Sequence, residues 1–172
     1  HEFFRHTDFI AMAGFTMATA WLDFNRTDAT ISAKGRIFQL YHQHFGAIPV
    51  AVSGTNPPPK PQYPIGGDQP SVNTGSLNWP LDVSASLTED KQALIVAVVN
   101  ATEQAQLLEL DVQGFTAAAK GRCWKFTGAS LNARNAVGKP PEVLTRETEF
   151  DARTRPILIA ATSVEFYRFE RA

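Results

Sequence analysis

Residues 92–100 read QALIVAVVN, and the fold is decided in this stretch. Leu94, Ile95, Val96, Ala97, Val98 and Val99 form an apolar run without a charge. In an extended chain Leu94, Val96 and Val98 face one side, and Ile95, Ala97 and Val99 face the other. Both faces are apolar, which predicts a central strand covered on both sides. The run is too short for a typical helix, and β-branched residues dominate it. Such a strand needs another layer to bury it, so a β-sandwich built around it is expected.

Working outward from that strand, the pattern from Leu81 onward is β. It predicts strands near 81–87, 92–100, 105–113, 120–127, 142–148 and 157–169. Residues 88–91 close a hairpin, and Gly114 and Gly128 punctuate strand ends. In the third strand Leu108, Leu110 and Val112 face inward, and Glu109, Asp111 and Gln113 outward. Several short strands in about ninety residues point to a sandwich or jelly roll. Upstream, residues 53–80 hold seven of the eleven prolines. They read as a stiff linker or surface strap; a PxxP ligand for an adaptor domain has no support beyond the prolines.

The first fifty residues differ. Residues 1–22, HEFFRHTDFIAMAGFTMATAWL, read as a helix whose apolar positions spread nearly all round the wheel, rather than along one stripe. Such a helix is expected to pack inside something larger. Residues 21–25, WLDFN, form a short strand, and 25–33 are turn-like. Residues 34–45 form a second helix, with Ile37, Leu40, Tyr41, His44 and Phe45 at helical spacing and Gly46 as its stop. Residues 48–52, IPVAV, form a strand whose Pro49 demands an edge or first position. The division is a helix–strand–helix segment at 1–46, an entry strand and Pro/Gly-rich strap at 47–80, and a β-sandwich of jelly-roll type at 81–172. The order helix, strand, polar loop, helix is that of the closing α–β–loop–α portion of a repeating α/β architecture. The opening at His1 without an initiator Met suggests a piece of a longer polypeptide.

Composition narrows the function classes. The 172 residues are 44% hydrophobic, enough for a sizeable core, with a formal net charge of -1. No basic stripe interleaved with aromatics is present, so nucleic acid is not an expected partner. No run is long enough to span a bilayer, so no membrane association is expected, and with no signal peptide recognisable in this stretch a cytoplasmic location is favoured. The single cysteine, Cys123, excludes an internal disulfide and reads as a buried strand residue. His1 and His6 are five apart, about 140° round a helix, so they share no face and no metal site is expected. No cofactor motif occurs: Gly66–Gly67 precedes no helix, and Ser53–Gly54 lacks the strand–turn–helix of a nucleophile elbow. Glu2, Asp8, Asp23 and Asp28 define no carboxylate pair. The sequon at Asn100–Ala101–Thr102 is explained equally by a turn at a strand end. Tyr63, Trp79 and Trp124 are candidates for an aromatic sugar platform, with core packing as the other use of such rings.

HEFFRHTDFIAMA, residues 1–13, resembles the HE-x-x-RH-x-D-x-x-x-MA helix of the α-L-arabinofuranosidases of glycoside hydrolase family 51. WLDFN resembles their eighth barrel strand, and GRIFQLYHQHFGAIPVAV their last barrel helix and the entry into the C-terminal domain. ALIVAVVNATEQAQLLELDV and ATSVEFYRF resemble strands of that domain. The resemblance implies a retaining glycosidase on a (β/α)8 barrel with a jelly-roll partner, of which this chain holds the C-terminal portion. Neither of the family's catalytic Glu motifs occurs here, so no catalytic residue is carried over. A Gln that some relatives place beside the last barrel helix is absent from 33–36. Asn25, Arg26 and Thr30 are then expected to line the sugar pocket, because barrel sites form at the C-terminal ends of strands. The implied partners are the upstream barrel portion and, through the complete enzyme, an arabinose-containing carbohydrate, with self-association through residues 1–22 where that portion is missing. A non-catalytic carbohydrate-binding module is the rival reading.

Overall fold

The computed structural model describes residues 1–14, 21–56, 76–130 and 132–172. It is mainly β. Strand β1 (Leu22–Phe24) pairs with β2 (Ala29–Ile31) in a small ribbon. The main body is a six-stranded antiparallel sheet. It comprises β3 (Ile48–Val50), β4 (Leu81–Leu87), β5 (Ala93–Asn100), β7 (Ala117–Gly128), β8 (Val143–Asp151) and β10 (Ser163–Arg171), in the order β3-β4-β5-β10-β7-β8. Strands β6 (Gln106–Leu108) and β9 (Ile157–Ile159) form a separate pair.

Strand β5 is central, as its two apolar faces require. Leu94, Val96 and Val98 join one core with Leu81, Val83, Tyr167 and Phe169, covered by Leu108, Ile157 and Ile159 of the β6–β9 pair. Here the expected second β layer is found, reduced to two strands and the extended run after them. Ala93, Ile95 and Ala97 join the other core with Trp124, Phe126, Val164 and Phe166. A helix, not a sheet, covers that face: α2 (Ala33–His44) lays Leu40, Ile37 and Tyr41 on it. A greasy strand specifies that both faces be covered, not what covers them.

Local chemistry sets the element ends. Ser32 caps α2, its hydroxyl accepting from the Gly35 amide at 3.2 Å. Gly35 is required where α2 meets the ribbon: a Cβ there would lie 2.4 Å from the Trp21 carbonyl oxygen. Pro49 lies in β3, an edge strand of the sheet, where its missing N–H costs no ladder bond. The expected strand at 157–169 is two strands. Residues 160–162 turn the chain from one layer to the other, with Thr162 at φ 45. The expected strand at 105–113 pairs only over 106–108, although its in–out alternation persists: Glu109, Asp111 and Gln113 are exposed.

The helix expected over 1–22 is corrected by the structure. Among the described residues of that stretch, α1 (Glu2–Arg5) is the helical part, and turns follow through Phe9. His6 leaves the helical region at φ -120, and Thr7 and Asp8 favour turns. The part of that expectation falling on 15–20, and the strap at 57–75 with Tyr63, lie outside the described residues. Among the described residues no helix is long and apolar enough to cross a membrane.

Candidate functional site

The three residues expected to line a sugar pocket sit together on the β1–β2 ribbon. Asn25 and Arg26 form its tip, and Thr30 lies opposite Asp23 in the ladder. The Asn25 side-chain oxygen accepts from the backbone amides of Thr27 and Asp28, both at 2.9 Å, so it builds the turn. Arg26 is exposed. Asp23 points elsewhere: its carboxylate accepts from the Val137 amide at 2.7 Å and ties the ribbon to the β7–β8 connection.

The opening motif has a clear structural use. His1 and Arg5 both reach Asp82 on β4, His1 Nδ1 at 3.2 Å and Arg5 by a charged hydrogen bond. The Tyr41 hydroxyl meets His1 Nε2. Phe4 stacks on Phe45 with ring centres 4.4 Å apart. Six side chains from α1, α2, their flanking residues and β4 therefore clamp the first helix to the sheet. Burial, and after it the Asp82 charge, pushes the Tyr41 phenol far above its ordinary range, so it stays protonated. The spacing of His1 and His6 speaks only against a metal pair, and the clamp is invisible in the sequence because Asp82 lies 77 residues from Arg5.

Of the three rings named as an aromatic platform, Tyr63 lies outside the described residues, and Trp79 and Trp124 lie apart. Trp124 is buried and stacked under His44, with ring centres 4.0 Å apart. Trp79 is exposed and lines a broad groove of about 1020 Å3 beside β3, β4 and the run after β6. Trp124 belongs to the α2-facing core, so the two rings occupy separate sites. The parity of β7 decides this, since it sends Trp124 and Phe126 toward α2 and Cys123 to the other face.

A second cleft, of about 480 Å3, lies between α2 and β8. Arg36, Gln39 and Gln43 form one wall, and Thr145 and Glu147 the other. His44, on its floor, titrates below the ordinary histidine value because burial disfavours its charge; Glu147 opposes that and Arg168 adds to it. Helical spacing marks the first wall in the sequence, whereas the partner strand is visible only in the fold.

Other candidates resolve structurally. Cys123 is buried, and its thiol is pushed up to about 12 by burial and the nearby Glu165 carboxylate, so it is inert as a nucleophile. Asn100 of the sequon is buried, and its amide donates to the Gln104 and Ala160 carbonyls, both at 2.8 Å. It acts as a turn residue. Among the described residues no group of His, Cys, Asp and Glu side chains could hold a metal ion.

No family model and no curated protein matches the chain. Solved structures do. An α-L-arabinofuranosidase from Thermotoga maritima, in complex with arabinose, shares 23% identity at a TM-score of 0.67, over 87% of this chain and 31% of that one. The thermostable family 51 enzyme from Thermotoga petrophila shares 24% at 0.67 over the same proportions. The family 51 arabinofuranosidase from Xanthomonas axonopodis pv. citri shares 15% at 0.58, over 87% of this chain and 28% of that one. The chain thus shares the fold of part of these enzymes and spans about a third of their length.

Proposed function

We propose that the chain is the C-terminal portion of a retaining α-L-arabinofuranosidase, in which β1 and α2 close a (β/α)8 barrel and the six-stranded sheet buttresses it. The observation that carries this reading is the exposure of several large apolar side chains within the first forty residues. Leu22 and Phe24 of β1 are 42% and 57% exposed, and Phe3, Phe9, Met12 and Phe38 are exposed as well. Burying each such side chain is worth roughly 1.5–3 kcal/mol, so a face of this kind is built to be covered. The likeness to family 51 enzymes supports the upstream barrel as that cover. Asn25 and Arg26 then follow the C-terminal end of a barrel strand, where such enzymes bind substrate, with Thr30 near them on β2. In this reading the complete enzyme releases terminal arabinofuranosyl groups from plant polysaccharides or oligosaccharides by double displacement.

The role of the chain itself is structural. A retaining mechanism needs two carboxyl groups about 5–5.5 Å apart. Asp23 and Asp82 are engaged in structural contacts, with the Val137 amide and with Arg5. The test is hydrolysis of an aryl arabinofuranoside. The chain alone is expected to give none, and joining it to the upstream barrel of a family 51 enzyme is expected to give turnover. Hydrolysis by the chain alone, abolished by replacing one of its own carboxylates, would overturn the reading.

A further inference from the structure

We infer that the cleft between α2 and β8 binds a neutral polyhydroxylated ring, a single furanose or pyranose unit. Its volume of about 480 Å3 lies within the range of small-ligand sites. Its walls follow from two periodicities. Arg36, Gln39 and Gln43 recur on one side of α2, and Val143, Thr145 and Glu147 alternate onto the helix-facing side of β8. The lining mixes chemistries as a sugar ring requires: apolar Leu40, Val143 and Trp124 below, with amides, a hydroxyl, a guanidinium and a carboxylate at the sides.

Charge selects the ligand class. The charges on the two walls are each engaged, Arg36 donating to Gln39 Oε1 at 2.8 Å and Glu147 lying 3.6 Å from Arg122, so an anion meets a carboxylate and a cation meets a guanidinium. A hydroxyl is both donor and acceptor and can use both. His44, neutral near pH 7, contributes one of each. Gln43 and Thr145 have no side-chain hydrogen bond to any described residue. The His44 ring covers Trp124, so recognition here depends on hydrogen bonds from the walls and not on an aromatic platform.

The inference stands apart from the proposed function, because it needs neither the barrel nor turnover. The test is NMR titration of the 172-residue chain with L-arabinose, D-xylose and, separately, inorganic phosphate. The sugars are expected to shift the His44 imidazole and Trp124 indole signals saturably, with millimolar dissociation constants, and phosphate is expected to leave them unmoved. Gln43→Ala and Glu147→Gln, both at exposed positions, should weaken sugar binding roughly tenfold, the worth of one hydrogen bond to a charged or polar group, with unchanged melting. Absence of saturable shifts, equal binding of phosphate, or unaltered binding in both variants would overturn it.

Discussion

Strand β5 is apolar from Ala93 to Val99 and β1 carries Leu22 and Phe24 on either side of Asp23, yet the apolar side chains of one are sealed and those of the other are bare. In β5, Ile95, Ala97 and Val98 are fully buried between two neighbouring strands and two covering layers. In β1, all three residues are exposed, and β2 is the strand paired to it. Hydrophobic patterning therefore records that a strand needs cover. It does not record whether the cover comes from the same stretch of chain. The sheet finds its cover within residues 33–172, whereas the ribbon presents its face outward.

The largest effect that tests this contrast is expected in the sheet. Phe166→Ala removes a fully buried ring that meets Tyr41 of α2, and should cost about 3–5 kcal/mol in a urea melt. Phe24→Ser, on the bare strand, should stay within about 0.5 kcal/mol. Equal costs would mean that β1 is as well packed as β10. The same Phe24→Ser change should lower concentration-dependent association in sedimentation, since it removes part of the uncovered face.

A middle-sized effect is expected at the clamp joining the two regions. Asp82→Ala removes the acceptor shared by Arg5 and His1 and should cost on the order of 1–3 kcal/mol, the range for hydrogen bonds to charged groups. Limited proteolysis should then cut more readily within residues 1–14, while the sheet resists. Unchanged cleavage would show that the stacking of Phe4 on Phe45 holds α1 by itself.

The smallest effect is a pH dependence from His44. Its folded-state value lies below 6.5, so acidification protonates the unfolded chain first. Stability contributed by the neutral ring is whole above pH 6.5 and declines as pH falls from there toward the folded-state value. Denaturant melts at pH 7.5 and 5.5 should therefore differ more for the native chain than for His44→Gln. Glu147 and Arg168 face the same ring and are kept in both proteins. An equal difference in the two would remove His44 as the source.

Much of the sheet was legible because its information is local. The apolar run and its neighbouring turns placed 81–87 and 92–100 within a residue of β4 and β5, and helical spacing with Gly46 placed a helix over 34–45, within a residue of α2. The break between β9 and β10 was not legible. Ala160, Ala161 and Thr162 carry no glycine or proline signal. What holds the turn is Glu165, fully buried, which accepts from the Ala160 amide at 2.8 Å, the Ser163 hydroxyl at 3.0 Å and the Tyr167 hydroxyl at 2.5 Å, with Lys125 of β7 at 3.3 Å. A charge in mid-strand reads from sequence as a solvent-facing position, and only the surrounding donors make it tolerable inside.

The sequence by itself determined which segments extend, which coil, and which faces need burial, because those properties follow from side-chain volume, branching and spacing along a few residues. Only the tertiary structure decided that α2 covers one side of β5, that Trp79 and Trp124 line separate clefts, and that His1, Arg5, Tyr41 and Asp82 meet. Those outcomes depend on pairing between residues tens of positions apart, and the cost of leaving a polar or apolar group unmatched is settled only when the partner surface arrives.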